Sequence, residues 1–318
     1  MSLKTIFLKG KIMNYKNILK ILIGILIIIL ILYNLNLKVL VEVISSIDLR
    51  WILIAGILFF TAHLCIIYRL KYILNKFHKM PYNKIFWLHF FGYIIGQFTP
   101  GKVGYLSIAY MFKKEKIPYS FSTSILIFGQ FMSLIVQVIL ASFGVIYLVI
   151  IKSIHIGGII FVVLAVGWIF VLSVGIILFF KFGASRLKFI KRFPYGKKMF
   201  KFLNSMDRDF SKVKSLIPTV FIITLFTWLM SGLGWSAIGT SLGMDIPPLS
   251  YILLNPLIAS LTFIPISPSG IGFAEAGSVL IFSLLGVQPE RGFIVMILDR
   301  SIGLLISLLG LRIIFSKK

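Results

Sequence analysis

The chain has a single cysteine, Cys65, so it can form no internal disulfide and no cysteine-based metal site. Acidic residues are scarce: 9 Asp and Glu stand against 33 Lys and Arg, a net charge of +24. The four histidines, His63, His78, His89 and His155, are scattered without ligand spacing, and neither a metal nor a cofactor is expected. His63 and His89 lie in apolar stretches, where a histidine hydrogen-bonded between helices is the expectation. No P-loop occurs, so ATP is not the direct energy source. Asp207-Arg208-Asp209 has the spacing of a metal-dependent glycosyltransferase but sits in a short basic loop with no nucleotide-binding domain, and reads as solvated charge. Ser269-Gly270 lacks the Gly-x-Ser-Gly setting of an intramembrane serine protease. With no convincing acid–base pair, the chain is not expected to be an enzyme, and no catalytic residue is assigned.

What is abundant is apolar residue. Hydrophobic residues make up 59% and charged residues 13%, and several runs exceed the roughly 18 apolar residues that mark a spanning helix. The composition predicts one all-α polytopic membrane domain over 1–318. The basic excess has the sign of a nucleic-acid binder, but the positive-inside bias of membrane proteins accounts for it, and no nucleic-acid partner is expected. Lys4, Lys9, Lys11 and Lys16 precede an apolar run over 18–33, as in a signal peptide. Asn34-Leu35-Asn36-Leu37 then offers no small-residue cleavage site, so an uncleaved first helix is expected, with Met13 an alternative start to Met1.

Full spans are predicted at 18–37, 51–68, 119–151, 156–180, 216–242 and 292–315, about six in all. Two further segments, about 85–112 and 251–287, are apolar but interrupted. The first carries Phe98-Thr99-Pro100-Gly101-Lys102-Val103-Gly104, and the second carries Pro265-Ile266-Ser267-Pro268-Ser269-Gly270-Ile271-Gly272 with Glu275 just behind it. Backbone that leaves a helix at membrane depth is tolerated only where protein or a water-filled cavity supplies partners. Paired breaks in the two halves of a chain are the sequence pointer to a transporter's binding site.

Lys and Arg set the orientation. The N-terminal tail, the loop 69–84, Lys113, Lys114 and Lys116, the loop 181–214 with its eleven Lys or Arg, and Lys317 and Lys318 fall on one side if the spans alternate and each broken segment goes in and returns. The other side holds Lys38, Arg50, Lys152 and Arg291. The crowded side is read as cytoplasmic and carries both termini, in a multi-pass protein of the cell membrane. The two broken segments then enter from opposite sides. A first repeat over 51–151, with its break near 99–104, mirrors a second over 216–315, with its break near 265–272, and a basic cytoplasmic loop covers 181–215.

Ionisable groups within apolar segments are costly, so each is a functional candidate. Lys102 lies between Gly101 and Gly104, which let backbone approach a ligand. With a helix starting near Val103, its amine and the free N–H groups form a phosphate site; snorkelling to the interface is the alternative. Glu275, in the first turn of a helix, caps free N–H groups or faces a cavity. Asp299 and Arg300 are adjacent and project about 100° apart, so they cannot share one face; Glu275–Arg300 is the expected pair, since a buried charge needs a partner.

At these residues the chain resembles a known family. Pro100-Gly101-Lys102-Val103-Gly104 with Ala109-Tyr110 and Lys113-Lys114, and Pro265 to Glu275 followed by Leu285-Gly286, resemble the two motifs of the transmembrane half of lysylphosphatidylglycerol synthases. The resemblance covers most of the chain and implies a flippase-like membrane protein. It also implies anionic membrane lipids as partners, with enzymes of a lipid-linked glycan pathway as further candidates. Two departures stand out: Tyr105 occupies a place usually acidic, and Ser269 replaces a glycine. The site implied is Lys102, Gly101, Gly104, Ser269, Gly270, Glu275, Arg300 and Asp299. The expected function is movement of a phospholipid, a polyprenyl or dolichol phosphate, or a glycan-linked carrier. The alternative is a scaffold or accessory subunit of a glycosylation or envelope-assembly complex that transports nothing itself. Head group, direction, coupling ion and oligomeric state are left open by the sequence.

Overall fold

The computed structural model describes residues 15–152, 167, 204–205, 208, 212–262 and 267–315. The expected span 156–180 and most of the basic loop lie outside them. The described residues form helices and connecting turns, with no strand among them.

Helices α1 (Tyr15–Asn34) and α2 (Leu37–Ser45) are followed by α3 (Leu49–Asn75) and α4 (Tyr82–Gln97). A 3₁₀ turn (Pro100–Leu106), α5 (Ser107–Lys114) and α6 (Tyr119–Lys152) come next. After α7 (Ile217–Ser241) and α8 (Pro248–Leu261), a short 3₁₀ turn (Pro268–Gly270) leads to α9 (Phe273–Leu284) and α10 (Pro289–Ser307). The chain then passes through Leu308–Gly310 into α11 (Leu311–Phe315).

Among the described residues, four helical stretches are long and apolar enough to cross a membrane: Leu49–Asn75, Tyr119–Val149, Lys214–Ser241 and Pro289–Ile313. Leu22–Asn34 and Leu37–Ser45, bent by 94° at their junction, form either a fifth, broken span or a re-entrant segment. Their outward faces carry large exposed apolar side chains, such as Leu22, Ile29, Leu53 and Ile57, as lipid contact requires.

The bend corrects the expected first span, which was drawn unbroken to Leu37. Asn36 stops α1 because its side chain accepts hydrogen bonds from the Lys38 and Val39 N–H groups and so caps a new helix. Its own N–H donates to the buried Glu290 carboxylate at 2.8 Å, which ties the elbow to the first turn of α10. The last span differs too: it starts at Pro289, three residues early, and loosens into a 3₁₀ turn at Leu308.

Contacts locate the helix ends. The Asp48 N–H donates to the Ser241 carbonyl at 3.1 Å, and Arg291 donates to the Gly243 carbonyl at 2.9 Å. The start of α3, the end of α7 and the start of α10 therefore lie together. Lys84, near the start of α4, forms an ion pair with Glu115, just beyond α5. Both ends of the first broken segment thus meet, at the end of the molecule where α3 finishes. The second broken segment starts just after the turn that Arg291 holds, and α9 ends just before α10 begins, so its two ends meet at the opposite end.

Two apolar clusters build the interior, one toward each end. On α3, Ala55 and Phe59 belong to one cluster and Ile67 and Leu70 to the other; on α7, Trp235 and Val220 divide in the same way. On α6 the change falls between Met132 and Ala141. The residues at the change are His63, Gln137, Thr227 and Ser231, and each sits near the middle of its helix. The spans thus have a polar waist between two apolar cores.

Candidate functional site

The first break is built by its own side chains. Thr99 is extended (φ −120°, ψ 141°), as the residue before a proline tends to be, and ends the α4 run. Its hydroxyl donates to the Gly96 carbonyl at 3.1 Å and accepts from the Gly104 N–H at 2.8 Å, pinning the turn to α4. A Cβ on Gly104 would come within 2.6 Å of the Ile95 carbonyl oxygen. Gly104 is therefore required for the close contact between this turn and α4. The helix expected to start near Val103 is corrected: a 3₁₀ turn begins at Pro100 with Gly101 in its first turn, and α5 starts only at Ser107. Within this turn Lys102 has φ 55°, a left-handed conformation that costs a non-glycine residue about 1–2 kcal/mol.

The second break touches the first. Ser269 has φ 46°, and its hydroxyl donates to the Gln97 carbonyl at 2.8 Å, at the last residue of α4. The Ser269 carbonyl accepts from Arg300 at 3.2 Å. Arg300 forms an ion pair with Glu275, and Glu275 also accepts from the Gly272 N–H at 2.7 Å. That is half of a capping box, with glycine supplying the backbone donor and no side chain. Gly270 (φ 66°) packs so closely that a Cβ would lie 2.5 Å from the Thr262 Cα. Ser269, Gly270, Glu275 and Arg300 together form a clasp that sets the second break against α4 and α10. The Glu275–Arg300 pair expected from the sequence is present.

Beside the clasp lies a polar cavity in two adjoining compartments. An outer one of about 240 Å³ is lined by His63, Tyr93, Lys102, Trp228, Asn255 and Asp299, among others. An inner one of about 170 Å³ shares His63, Tyr93 and Lys102 and adds Arg69, His89 and Tyr105. The Lys102 side chain is exposed to this space and makes no hydrogen bond or ion pair among the described residues. Asp299 accepts from Trp235 Nε1 at 2.8 Å, so one oxygen is fixed on α7.

The structure therefore divides the expected site. Lys102 and Asp299 line the cavity; Ser269, Gly270, Glu275 and Arg300 build the clasp behind it; Gly101 and Gly104 shape the turn that carries Lys102. His63 and His89 do bond each other, Nδ1 to Nε2 at 3.0 Å, and His89 Nδ1 meets the Tyr105 hydroxyl at 2.9 Å. Where an acidic residue was expected, Tyr105 thus ends a hydrogen-bond chain with His89 and His63.

Sequence reasoning placed Arg69 in a basic loop. It lies inside α3, is 5% exposed, and donates from Nη1 to the Thr224 hydroxyl at 2.9 Å. The signal was available, since Leu70, Tyr72, Ile73 and Leu74 continue the apolar face beyond it. Among the described residues no group of three His, Cys, Asp or Glu could hold a metal ion. What the cavity can do chemically is receive an anion: it offers an ammonium without an ion pair, with indole, amide and hydroxyl groups around it.

In comparison with known proteins, residues 17–310 match the sequence model of a family described as "Lysylphosphatidylglycerol synthase TM region". No curated protein matches the chain.

Proposed function

From the premise that the chain belongs to the lysylphosphatidylglycerol synthase TM region family, we propose that it is a transporter that moves an anionic lipid across the cell membrane. The substrate class is a phospholipid, a polyprenyl or dolichol phosphate, or a glycan-linked carrier. The observation that carries this reading is Lys102: a lysine with no hydrogen bond or ion pair among the described residues, held in a strained turn and exposed to a cavity at the polar waist of an apolar bundle. A charge so placed is expensive unless a ligand uses it.

In this reading six spans and two re-entrant segments form an inverted repeat, with both termini cytoplasmic. Support comes from the two broken segments, whose ends close at opposite ends of the molecule while their tips touch through Ser269 and Gln97. Lys102 holds the lipid phosphate, Asp299 shares its compartment, and the clasp is the joint about which the repeats move to open the cavity to either side.

Mass spectrometry of lipids that stay with the purified protein tests the assignment. One anionic lipid should be enriched in the wild type and depleted about tenfold or more in Lys102→Ala, the loss expected for a charge-assisted hydrogen bond. Only bulk membrane lipid, unchanged by the substitution, would contradict the reading and favour a scaffold.

A further inference from the structure

Lys102 is not the only cation without an ion pair that faces the cavity. Arg69 lines the inner compartment together with Lys102. Its Nη1 is fixed by the Thr224 hydroxyl, which in turn donates to the Val220 carbonyl at 2.6 Å and so has no proton left for another acceptor. No carboxylate lies within ion-pair distance of Arg69 among the described residues. The one carboxylate on the cavity, Asp299, lines the outer compartment. The rest of the inner wall carries no negative charge to offset it. The His63–His89 hydrogen bond requires one ring nitrogen without a proton, and the Gln137 amide is committed to the Pro256 carbonyl at 3.0 Å.

A buried guanidinium left uncompensated is strongly unfavourable, so such a group is expected to meet a charge that arrives with a ligand. Its remaining donors form a planar fork, which suits a phosphoryl group, whereas an ammonium acts as a point charge. A ligand with one phosphate can engage Lys102 and still leave Arg69 unpaired. We propose that Arg69 and Lys102 form a two-point site and that the lipid carried by this protein has a head group with two linked anionic centres, of the diphosphate class. Lys102 takes one phosphoryl group at the junction of the compartments, and Arg69 takes the other in the inner one. This rests on the lipid-transport reading and narrows it.

The test measures binding to the purified full-length chain in detergent, read by tryptophan fluorescence, since Trp228 and Trp235 line the outer compartment. The probes are farnesyl diphosphate, farnesyl phosphate and inorganic pyrophosphate. The wild type should bind the lipid diphosphate about tenfold or more tightly than the lipid monophosphate. Arg69→Gln should erase that preference and leave monophosphate binding unchanged; Lys102→Gln should weaken both lipids. If Arg69→Gln does not fold, Thr224→Val, which frees the guanidinium from its anchor, should weaken the diphosphate lipid alone. Equal wild-type affinity for the two lipids, or a preference that survives Arg69→Gln, would overturn the two-point site and leave lipid transport standing. Pyrophosphate binding as tightly as its lipid ester would show a site for the free anion and overturn the lipid assignment. Failure of every probe to bind would overturn both.

Discussion

Glu275 holds two groups at once: the Arg300 guanidinium and, through the Gly272 N–H, the first turn of α9, while Arg300 carries the bond onward to the Ser269 carbonyl. Its side chain is 1% exposed and that of Arg300 25%. Breaking a fully buried pair costs about 3–5 kcal/mol, and the partial exposure of Arg300 lowers the expected loss for Glu275→Gln to about 2–3 kcal/mol. Thermal unfolding in detergent reads this directly; an unchanged midpoint would show that the pair does not support the second break. This pair was legible in the sequence, because Asp299 and Arg300 cannot share a face and a buried charge in the second break needs a partner. Arg69 was not, because a single cation near a helix end looks like a loop residue until the apolar face beyond it is followed to Leu74. The role of Ser269 was also hidden: where a glycine was expected, its hydroxyl supplies a bond between the two breaks that no pattern of hydrophobicity encodes.

The breaks behave as elements in their own right. Gly270 combines φ 66° with a Cβ position 2.5 Å from Thr262 Cα, so Gly270→Ala suffers both backbone strain and a clash with backbone that cannot move aside. It should destabilise by more than about 2 kcal/mol, measured as a lower unfolding temperature. Ser269→Gly at the neighbouring position should relieve strain while losing a hydrogen bond, and fall near zero; a similar drop for both would argue against the geometry of the turn. Long apolar runs made α3, α6, α7 and α10 readable within a few residues at most ends, because length and hydropathy alone decide a span. The elbow at Asn36, made by that residue's cap on α2, is held in place by a hydrogen bond to Glu290, 254 residues away, which no local pattern shows. The turn at Pro100–Leu106 was correctly seen as a break, but its 3₁₀ character depends on Thr99 and on Gly104 fitting against Ile95, which are contacts rather than composition.

At the scale of the whole molecule, two apolar cores hold the ends and leave a polar waist at mid-span, where the tips of two broken segments touch. The sequence could place the breaks in opposite halves; only the folded chain shows that they meet and that the free lysine faces the same space as Asp299. The proposed transport would require Lys102 to engage its ligand from either side of that waist, so its charge should matter for turnover while the bundle stays folded without it. The most direct test reconstitutes the protein in vesicles carrying a fluorescent anionic lipid and measures lipid movement by quenching the outer leaflet. The account predicts movement with the wild type and loss of at least about nine-tenths of the rate with Lys102→Ala, at unchanged unfolding temperature. Full-rate movement by Lys102→Ala, or none by the wild type with any anionic lipid supplied, would contradict it.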